Sequence, residues 1–228
     1  MGSGMLPCGA YVTLEHEWIL IFRKGDKREF KNAEAKQTRS KSAFFWEERN
    51  TWFSDIWDIK GTKQSLHQSK SRDRSAAYPF EIPYRLINMY SELGDIVLDP
   101  FLGTGTTMQA AILLGRNSIG YDIDPHMGEI IIDGLQSMST DRCNSLIKQR
   151  FDNHVAFIRD RKASGKAIKH FNALMNVDVM TKQEENMELC YLKQISLLPG
   201  RTGCAVELEE HSNLNSLPVS EGLFAAIV

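Results

Sequence analysis

The chain has 228 residues, 42% hydrophobic and 25% charged, enough length and apolar content to bury a core, so wholesale disorder is excluded. No apolar run approaches the roughly 18 residues of a membrane-spanning helix, and the first residues, Met-Gly-Ser-Gly-Met-Leu-Pro-Cys, lack a basic segment followed by an apolar one; no membrane partner and a cytoplasmic location are expected. Cys8, Cys143, Cys190 and Cys204 stand apart without any CxxC or Cys/His pairing, which argues against a zinc site or a disulfide framework, and no metal ligands are assigned.

Tyr11 to Arg23 is rich in aromatic and β-branched residues and runs into Lys24-Gly25-Asp26, the pattern of a strand entering a turn. The net charge of −2 conceals a basic stretch: Arg23 to Arg74 carries 14 Lys and Arg against eight Asp and Glu. Within it, Gly25 to Ser42 lacks apolar periodicity and is expected to be an exposed loop, as is Gly61 to Ser75. Between them lie Phe44, Phe45, Trp46, Trp52, Phe53 and Trp57. Aromatics among cations serve phosphate contact and base stacking, or they pack in a core beneath a solvated basic surface; either way the cluster has to pack on something.

From Phe80, Ile82, Leu86, Met89 or Tyr90, and Leu93 recur at helical spacing, with Pro83 in the first turn and Gly94 as the stop. Asp95 to Asp99 is a short apolar run of the kind found in a parallel strand buried on both faces. It leads into Pro-Phe-Leu-Gly-Thr-Gly-Thr-Thr, where Thr106 or Thr107 is suited to cap a helix that ends at Gly115. Asn117 to Ile123 reads as the next strand, completing a βαβ unit. Beyond Pro125 the spacing is mostly helical, Arg159 to Lys169 reads as a loop, and Thr181 with Glu184 forms the capping box of a further helix to Leu192. Nothing is assigned after Pro199.

In an open parallel sheet ligands sit beyond the carboxyl ends of the strands. Gly103-Thr104-Gly105 lies there, and Asp122, about 20 residues on, stands where a carboxylate grips ribose hydroxyls. Glycines in such a turn also answer a purely conformational need. A phosphate-binding loop of the form GxxxxGK[ST] is absent, and Met108 occupies the place of the third glycine of a dinucleotide fingerprint, which disfavours a nicotinamide-dependent oxidoreductase. S-adenosylmethionine, with a ribose and an adenine but no phosphate, remains.

The string LDPFLGTGTT, preceded by AAYPFEIPYRLINMYSELGD and followed by RNSIGYDID, resembles the S-adenosylmethionine-binding part of DNA amino-methyltransferases, which methylate adenine N6 or cytosine N4. The likeness runs over Ser75 to Asp124; the earlier GSGMLPCGAYVTLEHEWILIFRKG is similar to the stretch after the family's catalytic segment, and RFDNHVAFI with VDVMTKQEEN extends the likeness. It implies an α/β chain: a partial Rossmann-like methyltransferase fold in residues 1–135, with a basic aromatic insert at 23–74 and a cofactor-binding unit at 75–124, then a mostly helical extension over 136–228. It also implies that Asp99, Pro100, Phe101, Gly103, Thr104 and Gly105 form the cofactor motif, that Asp122 binds the ribose in preference to Asp124, and that Ala76, Ala77, Tyr78 and Pro79 pack beside the methionine moiety. Phe101 and Tyr78 have core packing as the competing role.

The family's catalytic signature is Asp, Asn or Ser followed by Pro-Pro and an aromatic residue, which hold the amine and stack on an extruded base. All seven prolines here stand alone, so no catalytic residue is assigned. The expectation is a site-specific DNA methyltransferase of the restriction-modification type, truncated at its amino terminus and inactive alone, with double-stranded DNA and a second chain carrying the catalytic motif as partners. The alternative is a non-catalytic cofactor- or DNA-binding remnant or subunit.

Overall fold

The computed structural model describes residues 16–61 and 78–209, which fall in two units, residues 1–30 and 31–228. In the first unit, residues 16–23 run without a strand ladder and Trp18, Leu20 and Phe22 are exposed, while the turn at Lys24-Gly25-Asp26 is present with Gly25 at φ +77°. The expected strand is therefore not formed over its described part. An alternating sequence becomes a strand only when a neighbour takes its N–H and C=O groups. Residues 11–15 lie outside the described residues.

The second unit begins with α1 (Ala33–Lys41), where an exposed loop was expected. Asn32 caps it, its side chain accepting the Ala35 N–H at 2.7 Å, Glu34 sits in the first turn and Arg39 and Lys41 in the last. Cap, dipole and good helix formers build this helix without an apolar face. In α2 (Trp46–Trp52) the first N–H groups are met by carboxylates: Phe45 donates to Glu48 and Trp46 to Glu184, both at 2.9 Å. α3 (Glu81–Tyr90) carries Pro83 in its first turn, but ends at Tyr90 because Ser91 turns its N–H and hydroxyl back onto the Ile87 carbonyl. Gly94 instead opens the turn into β1 (Ile96–Asp99), its N–H on Gly115.

β1, α4 (Thr106–Leu113) and β2 (Asn117–Gly120) form the βαβ unit, with β1 and β2 parallel in the register Ile96 to Asn117 and Asp99 to Gly120. The expectation that β1 is buried on both faces does not hold: Val97 packs against the cluster of Ile87, Ala110, Ala111 and Leu114, whereas Ile96 and Leu98 face outward, uncovered by any described element. α5 (His126–Ser137) and the 24-residue α6 (Thr140–Ala163) follow. Beyond α6 the extension also holds two hairpins. β3 (His170–Asn172) pairs antiparallel with β4 (Val177–Val179), and β5 (Leu192–Leu197) with β6 (Cys204–Leu208). The capping box of Thr181 and Glu184 exists, but it closes one 3-10 turn, Lys182–Glu184, not a helix to Leu192. Glu184 is shared: one oxygen takes the Thr181 N–H and hydroxyl, the other reaches across to α2.

The principal core joins Phe45, Leu113, Ile131, Leu135, Val179, Met187 and Leu192, so segments from residue 45 to residue 192 share one apolar interior. Among the described residues no helix is long and apolar enough to cross a membrane.

Candidate cofactor site

Between β1 and α4 the chain makes a turn that the ends of both strands clamp. Tyr121 N–H donates to the Asp99 carbonyl at 2.9 Å, and Leu102 N–H to the Tyr121 carbonyl at 2.8 Å. Gly103 has φ +54° and Gly105 φ +83°, a region open to glycine at little cost. The two differ in surroundings. A Cβ on Gly103 would meet only the Phe101 carbonyl, at 4.0 Å, so the backbone there lies open to a ligand, whereas one on Gly105 would touch Ile131 at 3.4 Å.

Two carboxylates organise this turn. Asp122 accepts the Gly103 N–H at 2.9 Å through one oxygen and the Asp124 N–H at 2.9 Å through the other, binding the end of β2 to the glycine turn. Asp124 turns away to accept the His126 N–H at 3.0 Å, at the start of α5. Of the two aspartates, Asp122 is the one brought to Gly103. At the other side, Asp99 accepts the Phe101 N–H at 3.0 Å through Oδ1; its Oδ2 accepts the Thr107 hydroxyl at 2.6 Å and the Tyr78 phenol at 3.1 Å. Tyr78 and Thr107 also hydrogen-bond directly. Burial pushes the Tyr78 phenol above its ordinary value, which keeps it a proton donor across neutral pH.

Tyr78, Asp99, Gly103, Thr104, Gly105 and Asp122 thus fall around one turn, with Pro100 and Phe101 inside it and Pro79 leading into α3. Phe101 is exposed, not packed in the core. Ala76 and Ala77 lie outside the described residues. Thr106 or Thr107 was expected at the helix cap, but the cap position is Gly105, and the Thr107 hydroxyl serves Asp99 instead. A hydroxyl two residues beyond a GxG turn was the signal for this role.

The aromatics of the basic stretch are largely structural. Phe45 is fully buried and stacks on His154 at 3.9 Å, Trp52 meets Tyr84 edge-on at 6.2 Å, and Trp46 stacks on Phe157 at 5.8 Å. The Trp57 indole donates to the Trp52 carbonyl at 3.0 Å. One further cluster, Glu47, His154 and Glu184, has the donor atoms of a metal site, but protein groups already engage it. The His154 nitrogens meet Glu47 at 2.8 Å and the Asp178 carbonyl at 2.9 Å, and both Glu184 oxygens accept N–H groups.

The sequence profile of the DNA methylase family matches residues 3–133, more than half of the chain. The chain belongs to that family. It is 50% identical over 192 residues to the Type II methyltransferase M.MthZI of Methanothermobacter thermautotrophicus, covering 84% of this chain and 52% of the relative. It is 57% identical over 131 residues to the Type II methyltransferase M.MjaI of Methanocaldococcus jannaschii, covering 58% of this chain and 42% of the relative. This DNA methylase chain therefore spans about half the length of the curated relatives it matches. A match of 192 residues takes in α6, well past the end of the family profile. A Thermus thermophilus protein solved in complex with S-adenosyl-L-methionine aligns over 49% of this chain and 40% of its own, with a TM-score of 0.39 and 34% identity.

Proposed function

We propose that the turn from Asp99 to Gly105, with Asp122, binds S-adenosylmethionine, and that the chain is the cofactor-binding part of a site-specific DNA methyltransferase acting on cytosine N4 or adenine N6. The observation that carries this reading is the 2.9 Å contact of Asp122 with the Gly103 N–H at the carboxyl ends of two parallel strands. Asp122 accepts the Gly103 N–H on one oxygen and the Asp124 N–H on the other, which sets its carboxylate beside the open side of Gly103, where a ribose diol would lie. Two carboxylates at the turn favour a cationic ligand and disfavour a pyrophosphate. Asp99 acts differently. With the Phe101 N–H on one oxygen and two hydroxyls on the other, it positions the turn, and the backbone does the binding.

When bound, S-adenosylmethionine supplies an electrophilic methyl group on a sulfonium. This chain holds and orients the cofactor; Tyr78 and Pro79 flank its methionine end. The residues that accept hydrogen bonds from the target amine belong to the Pro-Pro-aromatic segment, which has no counterpart in the chain, so the chain alone is inactive and works with a segment that supplies it. We place the methyltransferase part in residues 1–135, with the insert at 23–74 and the cofactor unit at 75–124, and treat 136–228 as an extension. Double-stranded DNA is the substrate, approached by the cations of the basic stretch, and the cytoplasm is the place of action. The test is transfer of a radiolabelled methyl group to mixed-sequence DNA. The purified chain is expected to give none, and to give sequence-specific incorporation once combined with the part of M.MthZI outside the matched region. Robust transfer by the chain alone would overturn the division of labour.

A further inference from the structure

A second cationic segment lies outside the basic stretch of residues 23–74. Arg159 to Lys182 carries six Lys and Arg against two Asp, and no carboxylate occurs between Arg161 and Val177. Half of these cations answer local needs. Arg161 lies over the rings of Trp46 and Phe157, at 5.1 and 5.6 Å, Lys162 pairs with Asp178, and Arg159 reaches Asp160 at 3.6 Å. Lys166 and Lys169 do not: both are exposed, and neither pairs with a carboxylate among the described residues. The backbone on either side of them is held. Gly165, at φ +75°, turns the chain at the end of α6, so that the Lys166 N–H reaches back to the Arg161 carbonyl at 3.2 Å. Lys169 directly precedes β3, which buried Asn172 anchors by donating to the Glu184 and Met187 carbonyls at 2.8 and 2.9 Å and accepting the Met175 N–H at 2.9 Å.

We propose that the loop from the end of α6 into β3, through Lys166 and Lys169, contacts the phosphate backbone of double-stranded DNA and extends the basic stretch into a larger positively charged surface. The inference rests on the function proposed above, in which DNA is the substrate, and adds an anchoring point outside the insert at 23–74. Two observations favour a duplex as the occupant. The segment adjoins the basic stretch: the Trp46 N–H donates to Glu184 at 2.9 Å, the turn Lys182–Glu184 packs against α1, and Asn186 donates to the Ser40 hydroxyl at 3.3 Å. Lys36 and Arg39 are exposed on α1, and Lys182 on the turn that packs against it. The spacing also fits. Two residues three positions apart lie at most about 11 Å from each other along the backbone, a length that about three successive phosphates of one strand cover. Lysine meets phosphates as a point charge without reading base edges, so these contacts supply affinity and register, not sequence choice.

The test titrates the full chain into a fluorescently labelled duplex of mixed sequence and follows anisotropy between about 50 and 200 mM salt. Lys166→Gln with Lys169→Gln is expected to reduce the slope of log affinity on log salt by about 2, a loss of about thirtyfold at about 0.15 M salt, and to do so equally on an unrelated sequence. Both lysines are exposed, so circular dichroism should show the fold kept. Lys193→Gln, which removes an exposed cation already paired with Glu207 at 2.7 Å on the β5–β6 hairpin, should leave the slope as in the wild type. An unchanged slope in the double variant, a loss confined to one sequence, or an equal loss in Lys193→Gln would each overturn the proposal. The same series separates the two readings. A wild type and a double variant that bind the duplex equally remove this surface and leave DNA as the substrate, whereas a wild type that binds no duplex removes the DNA reading and this surface with it.

Discussion

Thr107 shows how a few hydroxyls determine the shape of the turn. Its donation to Asp99 and its contact with Tyr78 tie the segment before α3 to the end of β1, two places 21 residues apart. Removing it leaves the carboxylate short of a charge-assisted hydrogen bond of about 2 kcal/mol. Thr107→Val is therefore expected to weaken S-adenosylmethionine binding about tenfold or more in an equilibrium titration, while Thr107→Ser, which keeps the oxygen, retains near-normal affinity. Equal loss in both variants would assign the effect to packing. This role was only half legible in the sequence: the GxG turn and Asp122 follow from the strand-turn-helix spacing, but Thr107 also satisfies the rules for a helix cap, and only the course of the chain at Gly105 decides between them.

At the scale of elements, local signals served where an element is self-sufficient and failed where it depends on a partner. The β1–α4–β2 unit was readable because a short apolar run, a glycine turn and an apolar helix ending at a glycine each leave a pattern in the chain. α1 was not, since its stability comes from the Asn32 cap and from helix propensity, which leave no apolar stripe. The opposite error occurred at Thr181 to Leu192, where a genuine capping box closes only one turn because Glu184 also caps α2, 138 residues away. Elements beyond α6 are held by such long-range contacts. Buried Asn144 donates to the Leu192 carbonyl at 2.8 Å and accepts its N–H at 2.7 Å, fixing α6 to the first residue of β5 next to a β-bulge. Asn144→Ala strands both groups, and we expect a loss of about 2–4 kcal/mol in urea unfolding. A loss below about 0.5 kcal/mol would mean that water takes over these bonds.

For the whole molecule, the buried thiols and a phenol predict how stability depends on pH. Burial pushes Cys143 and Cys190 from an ordinary 9.0 up to about 11, and Tyr191 from 10.0 to about 12. A raised folded value means that the folded state holds its proton longer than the unfolded chain. The contribution of the thiols is complete below pH 9 and is lost as pH rises toward 11; that of Tyr191 is complete below pH 10 and is lost toward 12. Midpoints of urea unfolding should therefore fall between pH 9 and 11, and Cys143→Ala with Cys190→Ala should flatten the decline; an unchanged slope would show that the thiols are not its source.

The central claim is that the glycine turn and Asp122 hold S-adenosylmethionine, and calorimetric titration of the chain assembled with the complementary part of M.MthZI tests it most directly. The account predicts saturable one-to-one binding that Asp122→Ala abolishes while circular dichroism stays unchanged. Undiminished affinity in the Asp122→Ala protein, or no binding by the assembled wild type, would contradict it.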